Sequence, residues 1–258
     1  MKRIIVLAFS IFFYLHSFSQ LAYYAAAKAG LSIREQPNTS AKVLDKIPYG
    51  EKMITVVNNE QQVTISTEGF NGYWWKIKYK EKTGYIVSSY VLPLPPPRAG
   101  TKTLHDYFAQ VSAPLGNTLV IKRSDAALNE TGESTLTKQL YKNGMEWHKT
   151  DGYENASSLY MIPDITIEQC FLLVRLIGQY PELIGEKEVF PTKRSVVKND
   201  NGEKIIDVEK ELYDGPQGSV SKPGPVKKIK IGLVQGAVTE FEIYLLDTQA
   251  IIFWASGV

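Results

Sequence analysis

Cys170 is the single cysteine in 258 residues, and it falls in the first turn of a segment with helical patterning. A thiol placed there could serve as a nucleophile, because a helix amino terminus lowers its pKa. Thiol catalysis also needs a base, and beyond residue 19 the only histidines are His105 and His148. The packing reading competes directly. Cys170, Leu173, Val174 and Ile177 share one helical stripe, where a small buried apolar group is expected. The sequence therefore assigns no catalytic role to Cys170. Two histidines, no His-Glu-x-x-His and no cysteine pair give no metal site. No Gly-x-Ser-x-Gly elbow and no phosphate-cradling glycine loop occur, so no cofactor is expected. A pair of catalytic carboxylates has no fixed spacing. With 27 Asp and Glu in the chain, a carboxylate site stays open as an alternative.

The remaining side chains suited to recognition are aromatic. Trp74 and Trp75 are neighbours on a strand-like run, so they point to opposite faces. Trp75 alternates with Ile77 and Tyr79 and is expected inside, which sends Trp74 outward with Lys76 and Lys78. Tyr49, Tyr73 and Tyr90 are expected to join Trp74 near one groove. Exposed aromatics give large contact area at small entropic cost and suit peptides or sugars. Two readings of Trp74 stand open: display to a ligand, or cover by the segment before it or by the rest of the chain.

The elements that would position these residues are strands. Gly30-Leu31-Ser32-Ile33-Arg34 opens with period-two alternation, and Pro37 follows. Val43-Leu44 leads to Pro48-Tyr49-Gly50, and Trp75 to Tyr79 leads to Thr83-Gly84-Tyr85-Ile86-Val87. These motifs, in this order, resemble the bacterial SH3-type domain over about residues 23–92, roughly a quarter of the chain, and residues 20–92 are expected to form its barrel. The departure is a longer polar insertion, Asn58 to Asn71. The resemblance implies a small β-barrel and a role in targeting or ligand binding at the cell envelope. Its implied target is peptidoglycan or a peptide-like ligand. Such domains often accompany papain-like wall peptidases, but those place their histidine well after the cysteine. Here the last histidine is His148, and Glu168-Gln169-Cys170-Phe171-Leu172 lacks the expected Asp-Cys-small-Gly pattern.

Residues 1–19 read as a signal peptide. Lys2 and Arg3 precede an apolar run from Ile4 to Leu15, and Ser17 and Ser19 precede a cut at Gln20. The run is short for a bilayer span, and no second one follows. The expectation is an exported soluble protein, periplasmic or extracellular, with no transmembrane segment. Removing Lys2 and Arg3 takes the 29 Lys and Arg to 27, equal to the 27 Asp and Glu. A neutral chain of this kind is no nucleic-acid binder.

Leu92 to Gly100 contains Pro93, Pro95, Pro96 and Pro97, and residues 93–102 are expected to form an extended spacer. Residues 103–258 resemble no family. They are expected to form an antiparallel sheet covered by one principal helix, an α+β arrangement. The helix runs from about Ile167 to Gln179, with a Thr166/Gln169 capping box, and Arg175 falls on its polar side. A short helix is expected over Leu104 to Val111. Strands are expected at 118–122, 145–148, 158–162, 189–198, 204–212, 226–234, 237–246 and 250–255. Asn201-Gly202 marks a hairpin and Gly218 to Pro225 a loop. The reading as a whole is mainly β, with a non-catalytic exported binding protein as its function. The alternatives are a wall-acting hydrolase with carboxylates in the C-terminal part, and an inhibitor or partner-binding protein that docks another exported protein.

Overall fold

The structure, a computed structural model, describes residues 22–54, 63–124, 133–199, 202–213, 222–235 and 237–257. The signal peptide expected at 1–19 and part of the polar insertion lie outside the described residues. The first part is built from β1 (Ala22–Ala25), β2 (Leu31–Arg34), β3 (Val43–Ile47), β4 (Lys52–Ile54), β5 (Thr64–Thr67), β6 (Phe70–Tyr79), β7 (Lys82–Val87) and β8 (Val91–Leu92). They form a three-stranded sheet, β4-β1-β8, and a five-stranded sheet, β3-β2-β7-β6-β5. The inward sides of the alternating strands meet in one small core that includes Leu31, Ile33, Ile47, Ile77, Tyr79 and Ile86. This is a small barrel of the expected kind.

The second part contains α1 (Leu104–Val111), β9 (Leu119–Ser124), β10 (Glu133–Leu140), β11 (Glu146–Asp151), β12 (Asn155–Pro163), α2 (Ile167–Ile177), β13 (Ser195–Asn199), β14 (Gly202–Tyr213), β15 (Lys222–Gln235), β16 (Ala237–Leu246) and β17 (Gln249–Gly257). Its nine strands form one antiparallel sheet in the order β13-β14-β15-β16-β17-β12-β11-β10-β9. The chain is mainly β with two α-helices among the described residues. Alternation places Ile229, Ile231, Phe241, Ile243, Ile252, Tyr160 and Ile162 in one buried cluster with α2. The expected loop from Gly218 to Pro225 is shortened, because β15 already includes Gly224 and Pro225. Proline is admitted there because β16 pairs with β15 only from Lys228 onward, which leaves the earlier residues at a free edge.

The capping box at α2 forms as expected. Gln169 N donates to Thr166 Oγ1 at 3.2 Å, and Thr166 N donates to Gln169 Oε1 at 3.1 Å. Two expectations about this helix are corrected. It ends at Ile177, with Gly178 as its C-cap. Arg175, assigned to the polar side, is only 7% exposed. A helix with one apolar stripe would leave that side wet. Phe171 and Leu172 make this helix apolar nearly all round, and a helix of that kind is covered on more than one side.

The second cover comes from the barrel. Phe70, at the start of β6, packs against Phe171 of α2 (centroids 6.0 Å) and Phe190 (5.3 Å). Arg175 lies 5.0 Å from the Phe70 ring, and its Nη1 donates to Glu68 Oε2 at 2.7 Å and Glu188 O at 2.9 Å. Ala26, Phe70 and Leu92 of the barrel belong to the same buried cluster as α1, α2 and the large sheet. The expected free spacer at 93–102 is accordingly corrected to a packed strap. Pro96 and Pro97 are buried. The carbonyls of Pro95, Pro96 and Pro97 accept hydrogen bonds from Tyr107 Oη, Gln110 Nε2 and Tyr49 Oη. An extended polyproline backbone leaves its carbonyls unused, and donors on both sides of the strap take them up.

Buried tyrosines make the fold sensitive to alkali. Burial pushes the phenol pKa of Tyr49 and Tyr90 up to about 12, and raises those of Tyr107, Tyr160 and Tyr180 as well. An unfolded tyrosine titrates near pH ~10. Stability is therefore intact below about pH 10 and is lost as pH rises towards about 12, because the unfolded chain ionises first. Urea midpoints between pH 8 and 11.5 should stay level to about pH 10 and then fall. A level midpoint across the whole range would contradict this role for the tyrosines.

Candidate functional site

A groove of about 560 Å³ lies at the junction of the two parts. One wall is the β5–β6 hairpin with Thr64, Ser66 and Tyr73, joined by Trp75. The floor includes Ser88, Ser89 and the first turn of α2. The far wall is Lys210 of β14 and Gly224 to Val226 of β15.

Each wall follows from local sequence. β5 and β6 pair with Thr64 opposite Tyr73 and Ser66 opposite Asn71. Ser88 Oγ accepts from Tyr73 N at 2.9 Å and so fixes the hairpin over the turn at 88–90. A Cβ on Gly72 would stand 2.3 Å from Ser89 Oγ, so glycine alone allows this close approach. Ser89 Oγ is itself buried with no hydrogen-bond partner among the described residues. Gln169, after closing the capping box, donates from Nε2 to Val91 O at 3.1 Å and ties α2 to the barrel. On the far wall, register shifts in β14 fall on both sides of Lys210. Such bulges redirect a side chain away from the regular alternation.

The four aromatics expected to form one site do not come together. Tyr73 is 43% exposed and lines the groove. Trp74 is only 6% exposed, so the expectation of a displayed ring is corrected. It does leave Trp75 on the opposite face, and it shares its own buried face with Phe70 and Gly72. The covered reading of Trp74 is the one the structure supports. Trp75 packs edge-on against Tyr23 at 5.0 Å and joins the barrel core as expected. It also reaches the groove, a role the sequence reading missed. Tyr49 is half-buried and bonded to the proline strap. Tyr90 is half-buried between the two cores, and its phenol is raised by burial first and then by the neighbouring Glu68 carboxylate.

The other chemical candidates have structural places. Cys170 is fully buried, and burial raises its thiol pKa well above the ordinary range. That is the reverse of what a nucleophile needs. His105 packs on Trp147 with centroids 4.1 Å apart, and His148 Nε2 lies 3.1 Å from Glu146 Oε2. Among the described residues, no cluster of three or more His, Cys, Asp or Glu is placed to hold a metal. Three described carboxyl groups have displaced pKa values, Asp45, Asp106 and Glu186, and all three are lowered. The leading causes are the Lys46 amide, the Thr103 hydroxyl and the Lys28 ammonium. None of the three lines the groove. No described helix is long and apolar enough to cross a membrane.

Comparison with known proteins agrees with the barrel. The family model of the bacterial SH3 domain matches residues 29–91, which span β2 to the start of β8. No curated protein and no solved structure matches the chain.

Proposed function

We propose that the protein is an exported, non-catalytic binding protein of the cell envelope. Its ligand is peptidoglycan or a peptide-like chain, held in the groove between the SH3 barrel and the large sheet. Residues 20–92 supply the recognition hairpin, 93–102 strap the two parts together, and 103–258 supply the far wall. The observation that carries this reading is the exposed Tyr73 ring on the barrel's own hairpin, at the mouth of a recess floored by the unpaired Ser89 hydroxyl. A bacterial SH3 domain fits a wall-binding module. The described groove lining carries one cation, Lys210, and one anion, Glu168, among neutral residues, which suits a polar peptide better than a polyanion.

The test is retention of residues 20–258 on purified peptidoglycan. Wild type should be retained, and Tyr73→Ala should weaken retention by roughly tenfold, the loss typical of an aromatic anchor. Equal retention of both proteins would take the groove out of the account. No retention of wild type would remove peptidoglycan as the ligand.

A further inference from the structure

We infer that the groove holds its ligand as an added β-strand, and that this ligand is an extended peptide of L residues from another exported protein. The inference rests on the reading of the groove as the binding site, and it names both the ligand class and the contact that binds it.

β5 is an edge strand, paired only with β6 among the described residues. Its outward groups follow from the register. Trp74 N donates to Val63 O at 2.9 Å, so Val63 and Trp74 are a hydrogen-bonded pair. In an antiparallel ladder such pairs alternate with pairs whose amides point away from each other. Thr64 opposite Tyr73 and Ser66 opposite Asn71 are therefore the outward pairs. The β6 side agrees, since Tyr73 N turns away from β5 to Ser88 Oγ. Thr64 and Ser66 thus direct two N–H and two C=O groups along the free edge, at the two-residue spacing an incoming strand requires. Both residues line the groove.

The opposite wall is prepared in the same way. The first residues of β15 pair with β14 but, among the described residues, not with β16, so Gly224 to Val226 have no ladder partner on that side, and all three line the groove. Pro225 donates no hydrogen bond and keeps that stretch from closing onto β5 by itself. An extended chain laid between the two edges meets main-chain partners on β5 and the Tyr73 ring on its flank, the arrangement of strand addition. Lys210 on the far wall and Glu168 on the floor both line the groove, and among the described residues neither forms an ion pair. They favour a peptide with an acidic side chain towards Lys210 and a basic group towards Glu168, which fixes its direction.

The experiment uses residues 20–258 and a phage library of random linear L-heptapeptides. Selection should recover sequences that share an acidic position. Synthetic versions should bind wild type and lose at least tenfold affinity for Ser66→Pro. Proline removes the outward amide of Ser66 without touching the β5–β6 ladder, and edge strands tolerate it there. Unchanged thermal unfolding of the variant checks that the fold is kept. Thr64→Pro, which deletes the neighbouring outward amide, gives a second reading should Ser66→Pro be unstable. Methylation of alternate peptide amides should abolish binding in one frame only. Recovery of no peptide, or binding indifferent to both proline variants, would overturn the inference. Binding of soluble muropeptides without any L-peptide binding would overturn it too, while leaving the proposed envelope-binding function in place.

Discussion

Phe70→Ala should lower the stability of the whole chain by about 3–5 kcal/mol, the usual cost of deleting a buried aromatic ring. The ring is fully buried and touches four aromatic or cationic partners at once: Tyr90, Phe171, Phe190 and Arg175. Two of these, Phe171 and Arg175, are on α2, and Tyr90 belongs to the barrel side. The deletion therefore removes more than local packing. It takes the shared side chain out of a core that runs through both parts, and leaves the Arg175 guanidinium without its aromatic face. Thermal unfolding of wild type should be a single transition. In Phe70→Ala the transition should move down and split, with the barrel and the large sheet melting apart. A variant that melts once, at the wild-type temperature, would show that the two parts do not depend on this contact.

Gly69→Ala should cost about 2–3 kcal/mol, from two sources of comparable size. Glu68 and Gly69 both have positive φ, 51° and 78°, the signature of a two-residue hairpin turn of the mirror-image type. Alanine at Gly69 carries the left-handed penalty of about 1–2 kcal/mol. A Cβ there would also stand 2.1 Å from Phe190 O, so the turn must move away from the segment it docks on. That movement breaks the hydrogen bond from Phe190 N to Glu68 O, 2.9 Å long, worth about 0.5–1.5 kcal/mol. Gly116→Ala is the control. Its φ is similar, 75°, but nothing lies within 4 Å of the added carbon. The difference between the two variants in urea unfolding isolates the docking contribution. Equal losses would place the whole effect in the backbone of the turn.

Much of this architecture was legible because it is local. Leu31 and Ile33 alternate with Ser32 and Arg34, and the strand they predict is β2. Thr166 and Gln169 stand three residues apart and form the capping box that starts α2. Leu104 to Val111 is helical over the expected range. A β13–β14 hairpin is present near the expected place, but Gly202 pairs with Asn199 inside the strand, and Asn201 lies outside the described residues. β10 was missed because Glu133-Ser134-Thr135-Leu136-Thr137-Lys138-Gln139-Leu140 is polar on both faces. Its threonines were the only strand signal.

What the sequence reading lost was the junction, which depends on residues far apart in the chain. Phe70, Phe171 and Phe190 meet only in the folded molecule, and no spacing among them announces it. Arg175 looked like an ordinary polar-face residue because Glu68, its partner, lies 107 positions away. The proline run suggested a free spacer because its unused carbonyls look the same in the sequence whether or not Tyr49, Tyr107 and Gln110 bind them. The open choice at Trp74 has the same origin. Strand alternation separates it from Trp75, but alternation cannot tell an exposed face from one covered by another part of the chain. The groove inherits this limit: Tyr73 was among the expected residues, while Thr64, Ser66 and Lys210 became relevant only once the two edges faced each other.

The central claim is that the ligand sits between the barrel and the large sheet, touching both. Amide chemical-shift mapping of residues 20–258, titrated separately with soluble muropeptides and with a selected linear peptide, tests it most directly. The account predicts that a bound ligand shifts Thr64, Ser66 and Tyr73 on one wall together with Lys210 and Val226 on the other. Shifts confined to the barrel face of β2 and β3, or no shifts with either ligand, would contradict it.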